Sequence, residues 1–262
     1  MENNIFREER LRMILEILSQ EKKIIVKDLA EKFNLSDSSI RLDLTELEKR
    51  GLVYRTHGGA IIPDETRNDI VLNKNILLQR EETCADEKRR IAIAVMNLIS
   101  DGDSIMIDGG STNYFIAMQL HQKRGLTIVT SSTHLLPVLA QISDAKLFLT
   151  GGLYEREFED LIGEISLEII GRFSPDKTIM GIDGISLKQG LTSTEPSMAP
   201  LKRKMVSISK HLIVVADSTK IGKVSLVHVA GLNEVKTFVT DSNISDDDFK
   251  AFSEAGPRVI TA

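Results

Sequence analysis

The chain has no tryptophan, one cysteine, six prolines and 5% aromatic residues among 262 positions. The one cysteine, Cys84, has no partner for an internal disulfide, so a small disulfide-stapled scaffold is excluded and a reducing, cytoplasmic setting is expected. No apolar run reaches the roughly 20 residues that span a bilayer. The opening MENNIFREERLR is charged and lacks a signal-peptide core, so no membrane partner is expected. An excess of positive charge is also missing, the formal net charge being −5. Residues 1–60 hold 11 basic and 11 acidic residues, which leaves 22 basic and 27 acidic residues in the remainder. Bulk charge therefore does not indicate nucleic-acid binding, and any such function must rest on local pattern. There is no Gly-x-x-x-x-Gly-Lys-Ser/Thr loop and no dinucleotide fingerprint, so no cofactor is expected and nucleotide hydrolysis is unsupported. The hydrophobic content of 42% and charged content of 27% are ordinary for a globular protein, and the length suits a small module joined to a medium one.

The small module comes first. Leu11, Ile14, Leu15 and Leu18 recur at the spacing of a helix with one buried stripe. Ile24-Ile25-Val26 reads as a turn into a short strand, and Val26, Leu29, Ala30 and Phe33 repeat the helical spacing. After Asn34-Leu35, Ser36 is a good N-cap with Asp37 in the first turn. A third helix follows with Ile40, Leu44 and Leu47 inward, closing at Lys49-Arg50-Gly51. Two short helices joined by a tight connection form a helix-turn-helix pattern. Ser38, Arg41, Leu42 and Thr45 then project from the half of the helix that enters a major groove. Arg41 suits a guanine edge or a phosphate, and Ser38, Ser39 and Thr45 suit phosphates or bases. A solvated helix face in a protein-docking module is the other reading of the same residues. Leu52 to Ile62, with Gly58-Gly59 at its turn, reads as a β-hairpin wing with Arg55 and His57 near the tip as phosphate contacts.

The segments Val26–Phe33, Ser36–Leu47 and Gly51–Ala60, in this order and spacing, resemble the N-terminal signature of the DeoR-type repressors. The resemblance implies binding to double-stranded operator DNA through Ser36, Ser38, Ser39, Arg41, Leu42, Thr45, Arg55 and His57. Leu42 stands where the family usually carries a second arginine; it would meet a thymine methyl or simply lie exposed.

Pro63 to Asn75 is polar and reads as a linker, followed by Ile76-Leu77-Leu78 and Arg80 at a junction that resembles the family's. A helix is expected from about Asp86. From Ser104 onward, apolar runs at 104–107, 126–129, 147–149, 178–182, 212–216 and 237–239 alternate with helical stretches. The pattern predicts a largely parallel sheet with helices on both faces, its ligand site at the carboxyl ends of the strands. Three strand ends carry small donor-rich loops: Asp108-Gly109-Gly110-Ser111-Thr112, Thr130-Ser131-Ser132 and Thr150-Gly151-Gly152. A glycine-rich loop entering a helix suits a phosphate.

With Gly181-Ile182-Asp183-Gly184, Glu195, Lys202 and Ala216–Gly222, this region resembles the DeoR sensor domain. The resemblance covers about residues 6–241. It implies a fold shared with sugar-phosphate isomerases and acyl-CoA transferases, used here to bind a small phosphosugar effector. The phosphate loop would be Gly109 to Thr112, with Thr130, Ser131, Gly151 and Gly152 nearby. Asp108 and Asp183 would accept bonds from sugar hydroxyls, and Lys202 and Lys220 would supply positive charge. The expected organisation is a winged helix-turn-helix at 1–62, a linker at 63–80 and an α/β sensor at 81–262. The resemblance implies regulation, of the repressor type, of a sugar or carbohydrate operon by a homodimer or homotetramer. A retained isomerase activity using Asp183, Glu195 and Lys188 is the enzyme alternative.

Overall fold

The computed structural model describes residues 7–21, 23–56, 58–61 and 77–262. It falls into two compact units, Met1–Asn75 and Ile76–Ala262. In the first, α1 (Arg7–Glu21), β1 (Lys23–Ile25), α2 (Val26–Phe33) and α3 (Asp37–Lys49) precede β2 (Tyr54–Thr56) and β3 (Gly59–Ile61). Asn34 links α2 to α3 in the left-handed region at φ 52°, one of few conformations that turn the chain this tightly. Ser36 caps α3 by accepting a bond from the Ser39 amide at 3.3 Å.

The faces read from the sequence close into one core: Leu11, Ile14 and Leu18 of α1, Leu29 of α2, and Ile40, Leu44 and Leu47 of α3. Asp43, facing inward on α3, accepts bonds from Arg10 at 2.6 Å and Arg7 at 3.1 Å, locking α1 to α3. The wing is a three-stranded antiparallel sheet in the order β1-β3-β2. Gly59 is a strand residue rather than part of the turn, pairing with Thr56 of β2 and Ile25 of β1. It must be glycine, because a Cβ there would lie 1.8 Å from the Ile24 carbonyl oxygen.

In the second unit, helical residues 77–82 lead to α4 (Ala85–Met96). Residues 77–80, assigned to the linker from sequence, belong to this unit, and Leu77 is buried. One helical turn after a polar stretch is too short to display a period. The main sheet has seven strands, all parallel, in the order β15-β14-β12-β9-β4-β5-β6. These are β4 (Ser104–Ile107), β5 (Thr127–Thr130), β6 (Lys146–Leu149), β9 (Lys177–Gly181), β12 (Leu212–Val215), β14 (Thr237–Thr240) and β15 (Arg258–Thr261). Alternate residues serve opposite faces. Ile105, Ile107, Ile179, Ile213 and Val239 pack with Ile91 and Val95 of α4, whereas Met180, Val214 and Phe238 pack with Phe252.

The order reverses between β4 and β9: β4, β5 and β6 grow one way, and β9, β12 and β14 the other. The 147–149 run is an edge strand, with Phe148 and Leu149 partly exposed rather than buried. Two smaller antiparallel sheets flank the main one: β7 (Leu153–Glu155) with β8 (Asp160–Ile162), and β10 (Gly184–Ser186), β11 (Gly190–Ser193) and β13 (Val227–Ala230).

Gly59→Ala is expected to destabilise the first unit by at least roughly 2 kcal/mol, since backbone must move to admit the methyl group. Hydrogen exchange should quicken for amides within 23–61 and stay unchanged for the sheet amides of 104–240.

Candidate functional site

On the first unit, α3 presents Ser38, Arg41 and Leu42 to solvent, with Leu42 65% exposed. Ser39 and Thr45 are half-buried. The Ser36 hydroxyl lies 2.8 Å from that of Ser38 and 3.0 Å from that of Ser39, a cluster at the positive end of the helix. Arg55, exposed on β2, donates from Nη1 to Thr45 Oγ1 at 2.9 Å, and its amide donates to Glu48 at 3.2 Å. Wing and helix thus present one continuous polar face. His57 lies outside the described residues.

On the second unit, a cavity of about 370 Å³ opens over the carboxyl ends of β4, β9 and β12. This is the crevice that the strand-order reversal creates. Its floor is the Asp108–Thr112 loop leading into α5 (Ser111–Gln119). The N-cap is Gly110 at φ 99°, which offers no side-chain acceptor to the amides of the first turn. Those amides have no carbonyl within the helix to bond, so they converge on the cavity with the helix dipole behind them. Buried Asn113 holds the loop, donating to the carbonyls of Asp108 at 2.9 Å and Gly109 at 3.0 Å. A Cβ on Gly109 would stand 2.3 Å from Asp160 Oδ2, so the loop rests directly on that carboxyl group.

Asp108, Gly109, Gly110, Ser111, Thr112, Asp183, Lys202 and Lys220 all line the cavity. Thr130, Ser131, Gly151 and Gly152 do not. The Thr130 hydroxyl donates to the Ile107 carbonyl at 2.8 Å inside the sheet, and Ser131 is buried. Gly151 and Gly152 shape the turn between β6 and β7, where a Cβ on Gly152 would meet the Ile162 carbonyl oxygen at 2.6 Å. Equivalent strand ends do not make equivalent positions, because β5 and β6 lie to one side of the reversal.

Asp108 and Lys202 engage each other. The Lys202 ammonium, on α8 (Ala199–Ile208), bonds Asp108 Oδ2 and the Gly181 carbonyl, the latter at 2.9 Å. Burial opposes its charge, but Asp108 and Asp183 outweigh that and hold the lysine protonated. Asp183 accepts three bonds on Oδ2 from the β11 end: Thr194 N at 2.9 Å, Ser193 Oγ at 3.0 Å and Thr194 Oγ1 at 3.1 Å. Despite burial, Lys202 and these bonds keep its carboxyl below the usual range, as an anion facing the cavity.

Sequence reasoning missed the cavity residues Arg80, Lys88, Phe158 and Asp160. Asp160 is 1% exposed, and burial together with the neighbouring Asp108 pushes it up to about 7. The element carrying it is fastened by His134, whose ring donates to Glu81 at 2.7 Å and to Glu159 at 3.1 Å. Burial would lower the imidazole, but the bonds to Glu159 and Glu81 prevail and raise it to about 9.

A helix-turn-helix with a wing, followed by an α/β unit with a polar cavity, defines a transcriptional regulator with a separate sensor domain. Residues 10–66 match the DeoR-like helix-turn-helix domain and residues 83–242 match the DeoR C terminal sensor domain, so the chain belongs to the DeoR family of transcriptional regulators. It is 32% identical over 237 residues to the HTH-type transcriptional repressor GlcR of Bacillus subtilis (strain 168), spanning 90% of this chain and 89% of that protein. It is 31% identical over 229 residues to the glycerol-3-phosphate regulon repressor of Escherichia coli (strain K12), spanning 87% and 88% respectively. Ribose 5 phosphate isomerase A from Neisseria gonorrhoeae is 19% identical, with 53% of each chain covered and a TM-score of 0.37. That likeness carries neither activity nor ligand. The family and these relatives are regulators rather than enzymes, and the isomerase alternative falls.

Asp160 makes a pH prediction. An acid raised in the folded state stabilises below its unfolded value, near 3.9, and that contribution is lost as pH rises through about 7. Asp160→Asn should therefore gain stability relative to the parent between pH 5 and pH 8, by on the order of 2–3 kcal/mol in urea unfolding.

Proposed function

We propose that this chain is a sequence-specific repressor of a carbohydrate operon, working in the cytoplasm as a homodimer or homotetramer and controlled by a phosphorylated sugar. The observation that carries the effector reading is the glycine-capped N-terminus of α5 at the cavity floor, in a cavity also lined by the ionised carboxylate of Asp183. The first feature suits a phosphate and the second a polyol. The relative named for a glycerol-3-phosphate regulon supports a small phosphorylated effector. In this reading Gly109, Gly110, Ser111 and Thr112 take the phosphate and Asp183 takes hydroxyls. Lys220 adds positive charge, whereas Asp108 and Lys202 build the floor. Residues 1–62 read DNA through Ser36, Ser38, Ser39, Arg41, Leu42, Thr45 and Arg55 and, outside the described residues, His57. The neutral charge balance of residues 1–60 leaves phosphate attraction to local cations such as Arg41 and Arg55. A two-fold operator calls for a symmetric assembly.

Thermal denaturation with a panel of triose to hexose phosphates tests the effector. A ligand at a hundredfold its Kd stabilises the folded state by about 2.7 kcal/mol, so one or more members should raise the midpoint by several degrees. The unphosphorylated sugars should leave it in place; equal shifts from both would sink the phosphosugar reading. For the DNA-reading face, Arg41→Ala should weaken retention of the gene's own upstream region by about 1–3 kcal/mol if Arg41 reads a base. Arg55→Ala should weaken all sequences alike and flatten the salt dependence. Retention indifferent to both substitutions and to salt would leave a protein-docking module instead.

A further inference from the structure

The main sheet ends in two edge strands of unlike character. β15 exposes Arg258 and Thr261 and half-buries Val259 and Ile260. In β6, Leu147 is half-buried, Phe148 and Leu149 lie exposed, and the one charge, Lys146, stands at the start of the strand. An exposed apolar edge is a template for another strand, and charge along the edge is a common guard against it. Lys146 and Thr150 donate their amides to the Leu126 and Thr130 carbonyls at 2.9 Å and 3.1 Å. Alternation then turns the N–H and C=O of Leu147 and Leu149 away from β5, toward an edge that no described strand pairs.

The apolar surface continues beyond the strand. The Phe148 ring lies 5.4 Å from that of Phe173, just past the end of α7 (Glu164–Ile170). At the other end of this helix, the Ser166 hydroxyl lies 2.9 Å from that of Thr150. The helix therefore runs beside the edge and brings Ile165 toward the end of β6. A Cβ on Gly163, just before the helix, would stand 4.0 Å from the Leu153 Cβ, which places Leu153 beside the same helix start. Phe148, Leu149, Leu153 and Ile165 are 45%, 38%, 68% and 64% exposed. At roughly 200 Å² for each whole side chain, they offer on the order of 400 Å² of apolar surface on one molecule. A specific interface of standard size buries about 800 Å² on each partner, a little over half of it apolar. The patch thus meets the apolar share of one side of such an interface.

We infer that β6 pairs with β6 of a second copy of this chain, antiparallel about a two-fold axis at Phe148. The inference rests on the homo-oligomer of the proposed function and assigns its surface. A two-fold axis makes one patch its own partner. In this register Leu147 faces Leu149 of the other copy, so the outward N–H groups of both residues donate to carbonyls across the axis. The two Phe148 side chains meet in the close, non-hydrogen-bonded position, where an aromatic pair strengthens the pairing. Lys146 faces Thr150 of the other copy, so no like charges are opposed. The main sheet then runs on from one protomer into the other, with Leu153 and Ile165 flanking the junction.

The test uses the full chain, with Phe148→Glu, Phe148→Lys and, in a Cys84→Ser background, Phe148→Cys as variants. In sedimentation equilibrium each charged variant should show about half the mass of the parent assembly, because like charges would face each other at the axis. Mixing the two charged variants in equal amounts should restore the parent mass, since opposite charges then face each other. Such restoration also shows that neither variant has lost its fold. Phe148→Cys should cross-link between copies on mild oxidation, the two Cα atoms lying about 4.5 Å apart at this position. Parent mass in both charged variants overturns the inference and leaves the homo-oligomer standing, with the β6 edge open to a different partner. Halved mass that mixing does not restore overturns the two-fold pairing. A parent that stays monomeric overturns both the inference and the homo-oligomer.

Discussion

The Lys202 ammonium joins the two halves of the main sheet at the point where their directions of growth part. One contact goes to Asp108, just past β4, and the other to the Gly181 carbonyl that ends β9. These two strands are neighbours, and the chain leaves them on opposite courses, opening the crevice between. Removing one partner of such a pair would strand a buried charge, typically at a cost of about 3–5 kcal/mol. The cation therefore belongs to the architecture of the cavity. It is spent before a ligand arrives, so an anion in the cavity must be met by the backbone amides of α5 and by cations on the walls.

The floor would still be hostile to an anion if both buried acids were charged. Asp108 and Asp160 are each fully buried, and one lysine lies between them and neutrality. Burial and the charge of Asp108 push Asp160 up to about 7, so near neutral pH much of it carries its proton. A protonated Asp160 leaves the Asp108–Lys202 pair balanced, with the glycine loop and its helix dipole as the dominant local field. The close packing of Gly109 on the Asp160 carboxyl means that any side chain in place of this glycine would displace that acid. Loop geometry and floor charge are thus one constraint.

Most of the frame was legible in the sequence, for an identifiable reason. Strands buried on both faces, such as Leu212–Val215, read as unbroken apolar runs, and their ends are marked by glycine or small polar residues. The recognition helix was legible because Ser36 and the Ile40, Leu44, Leu47 spacing are local signals. What escaped depends on distant pairing. β15 pairs in parallel with β14, and nothing in Arg258–Thr261 alone announces it. Asp160 ends the charged stretch Glu155-Arg156-Glu157-Phe158-Glu159-Asp160, whose composition gives no sign of burial, and only the pairing of β8 with β7 buries it. Lys202 was partly legible. Leu201 and Met205 flank it on the inward face of α8, so the periodicity separates it from the exposed Arg203 in the same basic run. The strand-end loops misled because their composition is alike, while only those beside the reversal reach the crevice.

The separate cores constrain how a ligand could influence DNA affinity. The core of the first unit draws on residues 11–60, and the sheet cores of the second draw on residues 91–252. The recognition helix is fixed within its own unit by Asp43 and its two arginines. A ligand shifts an equilibrium only through a difference in its affinity for two states. The contacts that fasten residues 77–82 include the His134 bonds to Glu81 and Glu159, the Lys88 bonds at the end of that helix, and the Arg80 guanidinium over the Phe158 ring. Losing one bond of such a charged, half-buried cluster weakens the others.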